Sequence, residues 1–334
     1  MAAAVAATGT MAGSTVSCGD PAYAPKAAGA FQRGASNIQH WIDPHGSEFP
    51  PESGRYHIFV NYSCGWSHRV MLVRSLKGLE DCISLSHVGN YFVYQKGSGR
   101  YRGWPVPQDP TGSGFQTSYD IYNSENPGYG DGSESHGKRQ LGVPILFDKQ
   151  LKKVVSNDSA QILIMLNGAF ESLARYRVDL HPSDLHEDIE AVNAVVYPGI
   201  NDGVYRCRFA KTDEAYHEAY TALVNALQFV EQRLVAAKDS EGGAMFLCGG
   251  RLTLADLRAF PHLYRFEMIY RHFMLRQDDA AHPVLTLNDY PRIAEYVLSL
   301  FSQSSIATTC DLQIALRGYG NQIAKIDVDA CDAM

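Results

Sequence analysis

One stretch constrains the fold of this chain more than any other. A short apolar, β-branched run over residues 56–60 leads into Asn61-Tyr62-Ser63-Cys64-Gly65-Trp66-Ser67-His68-Arg69. From there the pattern turns helical: Trp66, Val70, Val73 and Lys77 share one face, Met71, Leu72 and Leu76 lie beside it, and Gly78 stands where a helix ends. Cys64 therefore falls at a strand-to-helix turn, at the helix N-terminus. Unpaired backbone N–H groups and the positive end of the helix dipole meet there. That setting favours a thiolate and makes the sulfur a nucleophile. The expectation is a thiol-transfer enzyme with Cys64 as its reacting atom.

Composition narrows the alternatives. The 334 residues are 45% hydrophobic, enough for one large or two ordinary domains. No apolar run approaches the roughly 20 residues that span a bilayer, so no membrane partner is expected. A formal charge of −7, with no long basic run, argues against a nucleic-acid binder. Seven cysteines, an odd number at wide spacings without a CxxC, argue against a disulfide framework or a zinc knuckle. A reducing, cytoplasmic setting follows, with no metal, no Walker loop and no dinucleotide fingerprint. Residues 1–30 are rich in Ala, Gly, Ser and Thr, with no acid before Asp20. That composition suits a flexible tail or an organelle transit peptide; the lack of arginine before Arg33 favours the tail.

Along the chain, residues 31–52 form a polar lead-in anchored by Trp41 and Ile42. A strand at 55–62 and a helix at 64–78 precede a second strand at 83–88, parallel to the first if the helix is a crossover. Residues 89–140 are a long irregular insert whose Trp104, Tyr119 and Tyr122 suggest order, with a short helix near 115–124. A strand at 143–147 begins around Pro144, an edge strand returns at 153–156, and Asp158 caps the next helix, with Gln161 set to close a capping box. This order is thioredoxin-like. Beyond Gly168 helical periodicity takes over, at 184–197, 212–237, 254–271 and 291–302. Thr253 and Asp256 form a capping box at the third, flanked by Leu252 and Leu257. The fold class is thus α/β plus all-α. A thioredoxin-like domain at 31–170 is followed by a helical domain at 180–310 and an extension at 311–334.

In this order, a cysteine at a strand-helix turn, Val143-Pro144 before a strand and Asp158-Ser159 before a helix resemble the glutathione transferases. The closer resemblance is to the glutathionyl-hydroquinone reductases, or Xi class. It rests on Gly29 to Ser36 with Trp41-Ile42, Gly54 to Cys64, Asn201-Asp202-Gly203-Val204-Tyr205 with Phe209-Ala210, and Arg265 to Tyr270. At the centre the chain departs from the family, which usually has Cys-Pro-Trp-Ala where Cys64-Gly65-Trp66-Ser67 stands here. Asp158 also replaces the more frequent Glu.

The resemblance implies a single catalytic cysteine, Cys64, that takes glutathione from a glutathionylated hydroquinone as a mixed disulfide. It implies a glutathione site built from Gly65, Trp66, Trp104, Val143 before a cis Pro144, Asp158 and Ser159, with Arg139 or Lys138 pairing a carboxylate. Tyr205 and Tyr270 would donate to the quinone oxygens, and the chain would form a homodimer through its helical domain. For each residue a plainer role competes: strand start for Pro144, helix cap for Asp158-Ser159, packing for Trp104, solvated charge for Arg139, aromatic core for the tyrosines. His68 is expected to be an exposed helix residue, and Cys82, Cys207, Cys248 and Cys310 core or surface residues. Two other functions stay open: an omega-like transferase acting on dehydroascorbate or small mixed disulfides, and a non-catalytic binder of glutathione or aromatic ligands.

Overall fold

The computed structural model describes residues 27–34, 36, 38–46, 48–125, 127–129, 141–240 and 243–321. Lys138, Arg139, Cys18, Cys331 and most of the N-terminal tail and C-terminal extension lie outside them.

Alternation builds the first half. Strand β1 (Tyr56–Val60) runs parallel to β2 (Ser84–His87) and antiparallel to β5 (Ile145–Asp148), which pairs with β6 (Lys153–Ser156), giving the sheet order β2-β1-β5-β6. The helix α1 (Gly65–Leu76) is the parallel crossover from β1 to β2. Every second side chain points to one face of the sheet. Ile58 and Val60 of β1, Leu146 of β5 and Val155 of β6 join a core shared with α1 and α3 (Ser159–Gly168). Their neighbours Phe59, Ile145, Phe147 and Val154 form a second core on the opposite face.

The long insert is the cover for that second face. It carries a small hairpin, β3 (Val93–Tyr94) with β4 (Tyr101–Gly103), and the helix α2 (Ser118–Glu125). Val106, Phe115, Tyr119, Ile121 and Tyr122 reach down onto Phe59 and Phe147. An apolar sheet face needs such a layer, and this explains why the described part of the insert is ordered.

The second half is helical: α4 (His186–Val196), α5 (Gly203–Phe209), α6 (Asp213–Asp239), α7 (Leu254–Arg265), α8 (Arg271–Phe273), α9 (Pro291–Phe301), α10 (Ser304–Ala307) and α11 (Leu312–Tyr319). Thr253 and Asp256 form the expected capping box of α7. Two wider π turns, Tyr197–Asn201 and Phe266–Tyr270, interrupt the helical runs. Gly199, in the first, lets α6 approach: a Cβ there would lie 2.3 Å from that of Ala226. The main core runs without a break from the sheet into this bundle. No helix among the described residues is long and apolar enough to cross a membrane.

His57 ties β1 to β2 by its side chain. Its ring nitrogens each sit 2.8 Å from a serine hydroxyl, Ser84 on one side and Ser86 on the other. Burial, with lesser help from Lys149 and Arg74, lowers its pKa to about 4. The unfolded chain protonates this ring near pH 6.5, whereas the folded chain resists until about 4. Between those values the unfolded state holds more protons, so stability falls as pH falls. The single site contributes on the order of 3 kcal/mol across that window. Denaturant unfolding from pH 7 to 4 is expected to show this slope, and His57→Gln to flatten it by about that amount; an unchanged slope in the variant would contradict the assignment.

Candidate functional site

Cys64 occupies the N-cap of α1 with extended backbone, and its Sγ accepts the Ser67 backbone N–H at 3.4 Å. On its other side the thiol donates to the Val143 carbonyl oxygen at 3.3 Å. The Val143–Pro144 peptide bond is cis. Through the thiol contact the loop before β5 faces the start of α1.

Asp158 is the N-cap of α3, accepting the Ala160 N–H on Oδ1 at 2.8 Å. Gln161 does not close the box. Its Oε1 accepts from the Ser156 hydroxyl, and that same hydroxyl accepts the Asp158 N–H at 3.1 Å. Ser156, the last residue of β6 and two residues before Asp158, takes that N–H instead. Asp158 is almost fully buried, its Oδ2 has no hydrogen-bond partner, and burial raises its carboxyl above the usual range. Ser159 beside it is buried too.

Next to Cys64 lies a wall of rings. Trp66 is 5.2 Å from Tyr205, which is 6.1 Å from Tyr270. Sequence reasoning missed two residues that complete the wall. Tyr319, at the end of α11, puts its hydroxyl 2.5 Å from that of Tyr205 and 3.3 Å from that of Tyr270. Arg33 lays its guanidinium over Trp66 at 4.2 Å and Tyr205 at 4.6 Å, and donates to Asp202 at 2.6 Å. Arg33 belongs to a lead-in motif that carries no chemistry of its own, and Tyr319 lies past the last strong periodicity, so only the folded chain shows their part. Burial pushes the Tyr205 and Tyr270 phenols upward, so both remain hydrogen-bond donors at neutral pH.

The expectation for His68 is corrected. It is fully buried rather than exposed: Nδ1 accepts from Arg265 at 2.8 Å and Nε2 meets the Thr309 hydroxyl at 2.9 Å. The face of α1 opposite the sheet is covered by α7 and α10, which the helical wheel of α1 alone does not reveal. Trp104 packs within the insert, its ring 4.7 Å from Phe92, against the same second core as Val143. Cys207 and Cys248 are buried and Cys82 and Cys310 half-buried; burial pushes Cys207 up to about 12 and Cys310 up to about 11. No group of three or more His, Cys, Asp or Glu among the described residues is placed to hold a metal ion.

Gly65 has a steric cause. A Cβ at this position would lie 2.6 Å from Cε1 and 2.8 Å from Nε2 of His262 on α7. Any side chain at 65, a proline ring included, would overlap the imidazole. Overpacking of this kind costs about 1–3 kcal/mol. Gly65→Pro is expected to lower stability by that amount. In Gly65→Pro/His262→Ala the loss should be smaller than the sum of the two single losses by about 1 kcal/mol or more. Strict additivity in a double-mutant cycle of denaturant melts would refute the contact.

Comparison with known proteins places this geometry. Residues 213–298 match the family model described as the glutathione S-transferase C-terminal domain. The chain is 35% identical over 292 residues to the glutathionyl-hydroquinone reductase PcpF of Sphingobium chlorophenolicum, covering 87% of this chain and 85% of that protein. It superposes on the crystal structure of the glutathione-S-transferase Xi from Phanerochaete chrysosporium with a TM-score of 0.75 and 32% identity, over 90% of this chain and 95% of the other. The glutathione-bound structure of YqjG, a glutathione transferase homolog from Escherichia coli K-12, gives 0.73 and 28%, over 88% and 90%. A thioredoxin-like sheet, a helical bundle and relatedness across most of both chains agree: this chain belongs to the glutathionyl-hydroquinone reductase family, the Xi class of glutathione transferases, and is an enzyme of glutathione-transferase type.

Proposed function

We propose that this protein reduces glutathionyl-hydroquinones through Cys64 alone. The observation that carries this is the position of the Cys64 sulfur. It sits at the N-cap of α1, held by the Ser67 N–H, facing the Val143 carbonyl on one side and a ring-lined wall on the other. In the first step the Cys64 thiolate attacks the glutathionyl sulfur. A sulfur–sulfur bond forms, the sulfur–carbon bond to the ring breaks, and its electron pair takes a proton at the ring carbon to give the free hydroquinone. In the second step the thiolate of another glutathione attacks the glutathione sulfur of the mixed disulfide. Oxidised glutathione leaves and the Cys64 thiolate returns.

The surrounding residues fit this chemistry. The Val143 backbone, whose carbonyl already faces the Cys64 sulfur, would pair with the cysteinyl part of glutathione. The buried, unpartnered Asp158 Oδ2 suits the γ-glutamyl ammonium, and Ser159 with the start of α3 suits its carboxylate. Gly65 and Trp66 border the sulfur, and Trp104 and Arg139 are the remaining glutathione contacts of this reading. Tyr205 and Tyr270 would donate to a quinone oxygen; their hydroxyls already meet at that of Tyr319, which donates to Tyr270 and is paired with Tyr205. The reading extends to a homodimer built through the helical bundle, for which light scattering should give twice the chain mass, and to a cytoplasmic setting.

Mass spectrometry after treatment with oxidised glutathione should find one glutathione adduct, on Cys64. Cys64→Ala should lose the adduct and reductase turnover on a glutathionylated hydroquinone by at least about a thousandfold, the scale of a missing nucleophile. Turnover retained in Cys64→Ala, or an adduct on another cysteine that supports it, would overturn the single-thiol mechanism. Faster turnover of dehydroascorbate than of the hydroquinone conjugate would overturn the substrate class.

A further inference from the structure

His262 has no task in the thiol chemistry, yet it stands beside it. The residue is on α7, fully buried, and both ring nitrogens lack a hydrogen-bond partner. An imidazole buried this way is costly, and interiors seldom keep such a group without a use. Its neighbours are the parts of the site itself. The ring abuts Gly65, meets Trp66 edge-on at 5.0 Å, and stacks on Tyr270 at 5.7 Å. Burial, then Arg69, Arg265 and Arg33, hold it well below its ordinary pKa, so the ring is neutral at pH 7. A neutral imidazole offers one N–H and one bare nitrogen, and either can pair with a hydroxyl on an aromatic ring.

We infer that His262 is a specificity-determining residue for the aromatic substrate, its imidazole hydrogen-bonding one ring hydroxyl of a guest held against Trp66, Tyr205 and Tyr270. The inference rests on the reading of an aromatic substrate given above. A para-dihydroxy ring has two oxygens at opposite ends. The paired hydroxyls of Tyr205 and Tyr270 converge on one point, as their shared contact with Tyr319 shows, so they serve one oxygen. The second oxygen needs a separate polar partner, and His262, in ring contact with both Trp66 and Tyr270, is buried there with two nitrogens that have no hydrogen-bond partner. The absence of a side chain at Gly65 leaves the room in which that ring sits.

The test uses the full-length protein and two guests, hydroquinone and 1,4-dimethoxybenzene, which share a ring but differ in hydroxyl protons. Binding is followed by calorimetry for the wild type, His262→Phe and His262→Gln. His262→Phe keeps a planar ring without nitrogens and is expected to bind hydroquinone about tenfold more weakly, with dimethoxybenzene unchanged. His262→Gln should regain part of the preference. Turnover on a glutathionylated hydroquinone should lose through KM rather than kcat. The melting temperature of His262→Phe should rise, because two unpartnered buried nitrogens are removed; a structural histidine would make it fall.

Equal losses for both guests, or none for either, would overturn the assignment. So would a fall in Cys64 adduct formation that matches the fall in turnover, since that would place the effect on the thiol. A wild type that prefers hydroquinone through His262 but neither gains the Cys64 adduct nor turns over would refute the reductase reading and uphold the hydroxyl contact. A wild type that turns over yet binds both guests alike would do the reverse.

Discussion

Arg265 holds the site together. Its guanidinium is fully buried between the two halves of the molecule, donating to the Tyr62 carbonyl two residues before Cys64, to the Pro261 carbonyl and to His68. Arg69, one turn further along α1, does the same from the other side, donating to Asn201 at the end of the first π turn and to the Arg258 carbonyl. A buried cation stripped of its partners is strongly destabilising, by about 3–5 kcal/mol. The helix that carries the nucleophile therefore cannot slide on the bundle without exposing that cost. The two arginines fix Cys64 against the wall supplied by α5, the second π turn and α11.

That arrangement also explains the place of the π turns. A regular α-helix would carry each tyrosine round to a different azimuth. The wider turn at Tyr197–Asn201 delivers Asn201 to Arg69 just before Tyr205, and the one at Phe266–Tyr270 delivers Tyr270 to Tyr319. Single π turns commonly mark functional positions. Here both stand at the joint where the helical half meets the thiol.

Much of this was legible from local signals. The β1-α1-β2 unit, Asp158 as a cap, the capping box at Thr253 and the four long helices each follow from periodicity or cap chemistry within a few residues. The cis bond at Val143–Pro144 and the grouping of Cys64 with Tyr205 and Tyr270 followed from the family resemblance. What did not show was decided by distant packing. His68 looks solvent-facing on its own helix, and only α7 and α10 bury it. The covering role of the insert depends on which side of β1 Phe59 faces. Arg33 and Tyr319 come from the two ends of the described chain, and nothing near either of them in sequence announces an aromatic site.

The overlap between position 65 and His262 limits how the chain can change. Glycine with histidine fits, and glycine with a small residue leaves only spare room. Proline with a small residue fits as well, but proline with histidine collides. Of the four combinations one carries the overlap, at about 1–3 kcal/mol, so the route of least cost between the proline and histidine forms goes through glycine. A motif that looks degraded at its second residue is then the open half of a two-part lock, and reading such motifs one position at a time mistakes an exchange for a loss.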